Sequence, residues 1–243
     1  MKQNYATSKH DFSNRVVLVT GGTGALGSAV TKAFIASNAK VISSYVNNMK
    51  IDGLEEEMKS RVELIRADLS KEDQVKILVS NILRKYNEIH ILVNVVGGYL
   101  GGKGVAELDE KEWDWMMTMN LKSAFLISKH VIPQMISSKA GKIVHVSSRS
   151  GLKSAGYDSA YAASKAGLLR FVESLSEEVK EFNINVNCMM PSIIDTEVNR
   201  RTMPKANFSK WVQPQDLANI VLFLCSEESK AITGSAIPTY GCA

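Results

Sequence analysis

Cysteine is scarce in this chain. The 243 residues contain only Cys188, Cys225 and Cys242, and no CxxC pair or Cys/His ligand spacing accompanies them. Three scattered cysteines do not form a disulfide framework, and without ligand spacing they do not predict a metal site. The four histidines also fall at no ligand spacing. We therefore expect no metal and a reducing, cytoplasmic environment.

Long apolar runs and blocks of like charge are also missing. The longest apolar run, IVLFLC at 220–225, is far too short to cross a bilayer, and the N-terminus is polar. The net charge of +4 comes from scattered lysines and arginines, which argues against a nucleic-acid surface. We expect neither a membrane nor a nucleic acid as a partner.

Short β-branched runs alternate with helical periodicity along the chain. The runs that predict strands are RVVLVT, KVISS, VELIRA, IHILVN, KIVHVS and INVNCM. Apolar residues at three- and four-residue spacing predict helices between them, as at Val75, Leu78, Val79 and Ile82. Such a succession implies parallel strands with helices on both faces, so we predict a single-domain, doubly wound α/β fold of Rossmann type, with three α/β/α layers and about seven strands. No linker or repeat divides the chain, and we expect a mobile N-terminal arm over 1–14 and one domain over 15–243.

The stretch VTGGTGALG, residues 19–27, lies between the first predicted strand and the first predicted helix. Gly22, Gly24 and Gly27 spell GxGxxG, a turn that lets backbone N–H groups approach a pyrophosphate at a helix N-terminus. No GKS or GKT follows, which excludes an ATP-type phosphate loop. The pattern predicts a dinucleotide site, which includes Gly21, Gly22, Thr23, Gly24, Ala25, Leu26 and Gly27.

The second predicted strand lacks the acidic residue that usually contacts the adenosine ribose. A carboxylate at its end would accept hydrogen bonds from the ribose and repel a 2′-phosphate. Tyr45 stands in that place, no arginine follows it at the strand end, and Lys50 is only a loose candidate for a phosphate contact. We therefore expect NADP(H) in preference to NAD(H), with Tyr45 near the ribose.

A tyrosine, a lysine and a serine predict acid–base chemistry. Tyr161 and Lys165 in YAASK are four residues apart on a predicted helix, so their side chains share a face. An adjacent ammonium favours the phenolate, and together with the charge of a cofactor it should lower the tyrosine pKa from about 10. Ser148 follows the KIVHVS strand, at the end where ligands of open α/β sheets bind, and its hydroxyl suits a substrate oxygen. Chance placement of a Tyr and a Lys on one surface helix is the alternative.

With these motifs the sequence resembles the short-chain dehydrogenase/reductase family, from DFSNRVVLVTGG to ITGSAIPTYG. The resemblance implies an NAD(P)-binding domain with strand order 3-2-1-4-5-6-7 and a homotetramer or homodimer. It matches the catalytic tetrad to Asn120, Ser148, Tyr161 and Lys165, with Asn120 anchoring a water that relays protons to Lys165. It implies further cofactor contacts at Asp68, Leu69, Asn94, Gly97, Tyr161, Lys165, Pro191, Ile194 and Thr196. Ala25 and the run NVVG depart from the family pattern.

The resemblance implies hydride transfer between a nicotinamide cofactor and a carbonyl or alcohol substrate, with Tyr161 as proton donor or acceptor. The runs VVGGYLGGK and DTEVNRRTMPKANFSKW resemble quinonoid dihydropteridine reductase, a branch that lacks the serine and keeps the acid, so a pterin reductase is one alternative. A non-catalytic, dinucleotide-sensing binding protein is another, and the four tetrad residues argue against it.

Aromatic and sulfur-containing side chains predict the substrate side of the site. Tyr99, Tyr157, Met190 and Trp211 are candidates for an apolar or aromatic pocket, with core packing as the alternative. Arg200, Arg201 and Lys205 are candidates for holding an anionic substrate, with a solvated loop face as the alternative.

Overall fold

The structure, a computed structural model, describes residues 10–46 and 56–242. Within this part of the chain, parallel strands form one sheet in the order β3-β2-β1-β4-β5-β6-β7. The strands are β1 (Val16–Thr20), β2 (Lys40–Tyr45), β3 (Val62–Arg66), β4 (Ile91–Asn94), β5 (Gly141–Val146), β6 (Ile184–Pro191) and β7 (Ala236–Thr239). The predicted fold class and strand order are confirmed.

Helices cover both faces of the sheet. They are α1 (Ala25–Ala36), α2 (Glu56–Arg61), α3 (Glu72–Tyr86), α4 (Glu110–Met117), α5 (Ser123–Ser138), α6 (Ser159–Val179), α7 (Glu197–Thr202) and α8 (Pro214–Cys225). Successive side chains of a strand point to opposite faces. Val17 and Val19 of β1 therefore pack with α1 and α8, whereas Leu18 packs with α3, α5 and α6. Two hydrophobic cores result, one on each face of the sheet.

The packed part of the chain begins before the first strand. Residues 1–9 of the predicted arm lie outside the described residues. Phe12 is only 4% exposed, its ring centroid lies 5.1 Å from that of Phe34, and its N–H donates to Ser37 O at 2.7 Å. The chain is therefore anchored to α1 by Phe12, inside the segment 1–14 that the sequence predicts as an arm.

Because every strand runs in the same direction, the carboxyl ends of the strands meet at one edge of the sheet. The turns after β1, β4 and β5 carry Gly21, Gly97 and Ser148 to this edge, and β2 and β6 end there at Tyr45 and Pro191. Among residues 10–46 and 56–242, no helix has both the length and the apolar composition needed to cross a bilayer.

Candidate active site

The glycine turn after β1 is packed so tightly that two of its glycines have no room for a side chain. A Cβ at Gly22 would lie 1.8 Å from Ser43 Oγ, and a Cβ at Gly27 would lie 2.1 Å from Gly21 O. Gly21 itself has a φ of +66°, in the left-handed region that favours glycine. The turn thus brings α1 against β1 and β2 at backbone distance.

The N-terminus of α1 is open to an anion. Its N-cap residue, Gly24, is extended and makes no side-chain cap, and no acidic residue occupies the first turn. The free N–H groups and the positive end of the helix dipole favour a negative group here. A Cβ at Gly24 would meet only Gly21 O, at 3.4 Å, so the backbone is accessible there. These residues fit the pyrophosphate of a dinucleotide.

The residues predicted at the adenosine end follow β2 and β3. Tyr45 is half-buried at the end of β2. Asp68 Oδ1 accepts hydrogen bonds from the N–H and hydroxyl of Ser70, at 2.9 and 2.7 Å. Leu69 is buried in the core, so any cofactor contact it makes comes from its backbone. Lys50 lies outside the described residues.

Lys165 is a buried residue of α6 near the carboxyl ends of the strands. Its side chain is 5% exposed, and its Nζ donates to Val146 O at 2.9 Å. Burial disfavours the ammonium and lowers the pKa of Lys165 from 10.5 to about 8. The Nζ lies 5.9 Å from the ring centroid of Tyr161, so the predicted pairing of these two residues on one helix face is present.

The pKa of Tyr161 is raised above its ordinary value in this structure, and the lowering expected from Lys165 and a cofactor charge together stays a prediction. Burial is the largest cause of the rise, and the negative charge of Asp158 adds to it. A hydrogen bond with Ser148 acts in the opposite direction but is outweighed. Desolvation of the phenolate therefore dominates, and Tyr161 is a neutral phenol at neutral pH.

Ser148 and Asn120 are the other two tetrad candidates. Ser148 is 9% exposed, directly after β5, and its Oγ accepts the N–H of Ser150 at 3.2 Å. Asn120, in the π-helical turn Thr118–Lys122, is fully buried; its Nδ2 donates to Ser164 Oγ at 3.0 Å and its Oδ1 accepts the N–H of Gly98 at 2.9 Å. The asparagine thereby joins the loop after β4 to α6.

Gly97 lies between Asn120 and Lys165. A Cβ on Gly97 would lie 2.8 Å from Asn120 Oδ1 and 3.1 Å from Lys165 Nζ. The structure therefore brings the four tetrad candidates and Gly97 together at one edge of the sheet. Asn120 bonds directly to protein groups, and the water relay assigned to it remains a prediction.

The buried ammonium predicts a stability effect. Folding disfavours the Lys165 ammonium, and the difference between 10.5 and about 8 corresponds to about 3 kcal/mol at pH 7. This cost is present below pH 8 and disappears as pH rises from 8 to 10.5, because the unfolded chain binds the proton more tightly. Lys165→Met should raise the free energy of unfolding at pH 7 by about 1–2 kcal/mol, since loss of the bond to Val146 O offsets about 1 kcal/mol.

Urea unfolding of the wild type and of Lys165→Met at pH 7 and at pH 10 measures this effect. The difference in free energy of unfolding between the two proteins should be smaller at pH 10 than at pH 7. Lys76→Met, on the exposed side of α3, is the matched control and should differ from the wild type by less than about 0.5 kcal/mol at both pH values. A Lys165→Met protein less stable than the wild type at pH 7 would contradict the prediction.

Asn94 is turned into the protein. It is 1% exposed, its Oδ1 accepts the Thr20 hydroxyl at 2.6 Å, and its Nδ2 lies 3.2 Å from His145 Nδ1. Both ends of the Asn94 amide thus bond residues inside the protein, Thr20 and His145. The structure therefore does not place the Asn94 side chain where it would contact a cofactor. The Thr20 hydroxyl also accepts the N–H of Val95 at 3.1 Å, so this network fixes the loop that leads to Gly97.

His145 is the unpredicted member of that network. An amide Nδ2 only donates, so His145 Nδ1 is the acceptor and the Nε2–H donates to Ser128 Oγ, at 3.1 Å. Complete burial lowers the pKa of His145 to about 3. The ring is neutral and structural, in keeping with its alternation between Val144 and Val146 in the sequence.

Tyr99 packs on Tyr161. The ring centroids of Tyr99 and Tyr161 are 4.9 Å apart in an edge-to-face arrangement, and the Tyr99 hydroxyl donates to Asp158 Oδ1 at 2.8 Å. Burial and the neighbouring carboxylate raise the pKa of Tyr99 to about 12. A Cβ at Gly101 would lie 2.3 Å from the Tyr99 hydroxyl oxygen, so the loop after β4 closely surrounds this contact.

Asp158 is the acidic neighbour of Tyr161 that the sequence reasoning missed. It is the N-cap residue of α6, three positions before Tyr161. That spacing was visible in the sequence and places a carboxylate one turn away from the tyrosine.

The other substrate candidates divide into exposed and buried residues. Tyr157 is 69% exposed on the loop before α6. Met190 is 1% exposed and packs in the core under α6, and Trp211 is 7% exposed and packs against Phe208. The structure therefore leaves Met190 and Trp211 almost no surface for a substrate, since Met190 points from β6 into the hydrophobic layer.

The segment after β6 is stabilised by local contacts. Pro191 ends β6, Ile194 forms a bridge with Val212, and the Thr196 hydroxyl accepts the N–H of Asn199 at 3.2 Å to cap α7. The hydroxyl proton of Thr196 keeps its capacity to donate to a ligand. The nicotinamide contacts assigned to this segment remain predictions.

The two arginines of the same segment already have acidic partners. Arg200 binds both oxygens of Asp195, at 2.5 and 2.7 Å, and Arg201 pairs with Glu197. The Arg200 guanidinium lowers the pKa of Asp195 to about 2. Their positive charges are therefore neutralised locally, which favours the solvated loop face over an anion site.

Comparison with known proteins agrees with this geometry. The family profile described as short chain dehydrogenase matches residues 15–207. The chain is similar to the 3-oxoacyl-(acyl-carrier-protein) reductase FabG of Thermotoga maritima, with 31% identity over 92% of this chain and 95% of the relative. The same enzyme of Chlamydia trachomatis is 32% identical over 94% of this chain and 96% of its own length. The solved structure of gox2181 superposes with a TM-score of 0.89 and 26% identity, covering 95% of this chain and 96% of that chain.

These matches cover the glycine turn, the tetrad candidates and almost the whole sheet. The family profile alone includes β1 to α7. The relatives extend the similarity over more than nine-tenths of the chain at above 30% identity. The chain therefore belongs to the short-chain dehydrogenase/reductase family and is an NAD(P)-dependent oxidoreductase.

Proposed function

We propose that this oxidoreductase reduces a carbonyl to an alcohol, with Tyr161 as the proton donor. The observation that carries the proposal is the arrangement of Ser148 and Tyr161, which lie close enough together for Ser148 to influence the tyrosine pKa, with Lys165 buried beside Gly97 at the same edge of the sheet. Tyr161 holds its proton at neutral pH, as donation to a carbonyl oxygen requires.

Each tetrad residue has a separate task in this proposal. A bound nicotinamide supplies the hydride. Tyr161 donates its phenolic proton to the carbonyl oxygen, and the Ser148 hydroxyl orients that oxygen by a hydrogen bond. Lys165 stabilises the phenolate that remains, because an ammonium nearby favours the charged form. Asn120 positions α6 against the loop of Gly97 and Gly98.

The experiment that tests the proposal is an assay that follows the oxidation of NADPH or NADH as a carbonyl substrate is reduced. The purified protein is mixed with NADPH or NADH and with a 3-oxoacyl thioester, a simple ketone, an aldehyde or quinonoid dihydropterin, and absorbance is followed against an enzyme-free blank. The names of the FabG relatives favour the 3-oxoacyl thioester as the fastest substrate. Turnover of no carbonyl with either nucleotide would contradict the proposal.

A pterin reductase is the second candidate, and the Tyr99 ring packed edge-on against Tyr161 favours it, because it offers an aromatic wall to a flat ring. Ser148→Ala separates the two candidates: pterin reduction should continue without the serine, whereas carbonyl reduction should fall. Membership of an enzyme family argues against the non-catalytic alternative. The homotetramer or homodimer stays a prediction.

Asp158 should shift the pH dependence of the reaction. Its charge raises the pKa of Tyr161, so Asp158→Asn should lower that pKa while the amide oxygen still accepts the Tyr99 hydroxyl. Reduction needs the protonated phenol, so the alkaline limb of the profile of kcat/KM against pH should move to lower pH in Asp158→Asn. The measurement is kcat/KM against pH for both proteins.

Asp114→Asn, an exposed carboxylate on α4, is the control for this shift and should leave the profile unchanged. A profile that moves to higher pH in Asp158→Asn, or does not move, would show that the carboxylate does not act on Tyr161.

A further inference from the structure

The missing carboxylate at the end of β2 leaves open which residue meets the nucleotide there. Tyr45 occupies that position, and in the parallel pairing of β2 with β3 it lies directly beside Arg66. Arg66 is the last residue of β3, so both residues stand at the edge of the sheet where the strands end. The sheet thus places an arginine next to the residue expected at the ribose.

The two side chains also share the face of the sheet that carries the glycine turn. Two residues earlier in the same register, Ser43 pairs with Leu64. Ser43 Oγ lies against Gly22, where a Cβ would approach it to 1.8 Å, and Leu64 packs against the core that contains α1. Since side chains two positions apart point to the same face, Tyr45 and Arg66 both point to the side of α1.

The positive charge of Arg66 is not neutralised by the described part of the chain. Arg66 is exposed, and within residues 10–46 and 56–242 no hydrogen bond or ion pair engages its guanidinium. Glu63, on the opposite face of β3, pairs with Lys85, and Asp68 directs Oδ1 to Ser70. The guanidinium therefore remains available to an anion.

We propose that Arg66, together with the hydroxyl of Tyr45, binds the 2′-phosphate of NADP(H) and sets the nucleotide preference of this enzyme. The inference rests on the proposed dinucleotide-dependent function and adds a specificity residue to it. A guanidinium forms paired, charge-assisted hydrogen bonds with phosphate oxygens. No carboxylate stands at the end of β2 to repel the phosphate, and the open N-terminus of α1 lies on the same face.

The test uses nucleotide fragments that lack the nicotinamide, so that it does not depend on turnover. Adenosine 2′,5′-bisphosphate and adenosine 5′-monophosphate are titrated into the full chain by calorimetry. The wild type should bind the bisphosphate at least about 10-fold more tightly, as expected for one charge-assisted contact. Arg66→Ala should remove this difference and leave the affinity for the monophosphate within about 2-fold.

Two further variants keep the test specific. Arg66→Lys retains the charge without the planar fork and should restore part of the preference. Arg84→Ala removes an exposed arginine that bonds Asn81 on α3, and it should change neither affinity. Thermal melting of each variant checks that the fold is intact.

The outcomes separate this inference from the proposed function. Equal affinity of the wild type for both fragments, or an unchanged preference in Arg66→Ala, overturns the role of Arg66 even if carbonyl reduction is observed. Loss of the preference in Arg66→Ala supports the role of Arg66, and it does so even in a protein that reduces none of the carbonyls tested.

Discussion

Replacing Tyr161 with Phe is expected to lower kcat by about 10²–10⁴-fold, the usual contribution of a positioned general acid. The phenyl ring preserves the packing against Tyr99 and removes only the phenolic hydroxyl. Nucleotide affinity should remain within about 2-fold of the wild type, because the glycine turn and the α1 N-terminus are untouched. Steady-state kinetics and a nucleotide titration measure the two quantities.

Tyr86→Phe is the matched control, since this tyrosine ends α3, its hydroxyl bonds Glu63 of β3, and the variant should keep nearly full activity. A Tyr161→Phe protein with wild-type kcat would exclude Tyr161 as the proton donor. Equal loss of activity and of nucleotide binding would instead indicate a structural role for the hydroxyl.

The sheet and the glycine turn were predictable because their causes are local. Strands of a parallel sheet are buried on both faces and read as continuous β-branched runs; β1 is such a run, and every residue of it is buried. The glycine spacing follows from a turn that must bring a helix N-terminus against a strand, and Gly22 and Gly27 indeed have no space for a Cβ. The four-residue spacing of Tyr161 and Lys165 places them on one helix face without further information.

The electrostatics of the site were not predictable, because burial is a property of the whole fold. The sequence shows a lysine one turn from Tyr161 and indicates a lowered pKa for the tyrosine. In the structure, burial raises the pKa of Tyr161 and lowers that of Lys165, and Asp158 strengthens the first effect. Desolvation outweighs a neighbouring charge when both groups are removed from water.

The direction in which a side chain points, and the residue that lies beside it on the next strand, could not be predicted from the sequence either. Asn94 turns inward because Thr20 and His145 bond its amide, and Met190 turns into the core because of its place in the alternation of β6. Arg66 becomes a neighbour of Tyr45 only through the register of two strands. Each depends on contacts between distant parts of the chain, which one-dimensional spacing does not contain.

The glycine turn gives the second large prediction, a contrast between two substitutions three residues apart. Gly27→Ala places a methyl group 2.1 Å from Gly21 O and 2.7 Å from Gly22 Cα, both backbone atoms that cannot move without displacing β1 or α1. We expect a loss of about 1–3 kcal/mol or more in the free energy of unfolding, and at least about 10-fold weaker nucleotide binding. Thermal melting and calorimetric titration measure both effects.

Gly24→Ala is the matched variant with the opposite expectation for stability. Its added methyl meets only Gly21 O, at 3.4 Å, and the φ of −80° suits alanine, so the melting temperature should stay close to that of the wild type. Nucleotide affinity should nevertheless fall, because the methyl group stands where the backbone approaches the pyrophosphate. If Gly24→Ala binds nucleotide normally, the pyrophosphate does not lie over the α1 N-terminus. A fully stable Gly27→Ala protein would show instead that the turn can relax, and the close packing of α1 against Gly21 would then not be what fixes the cofactor site.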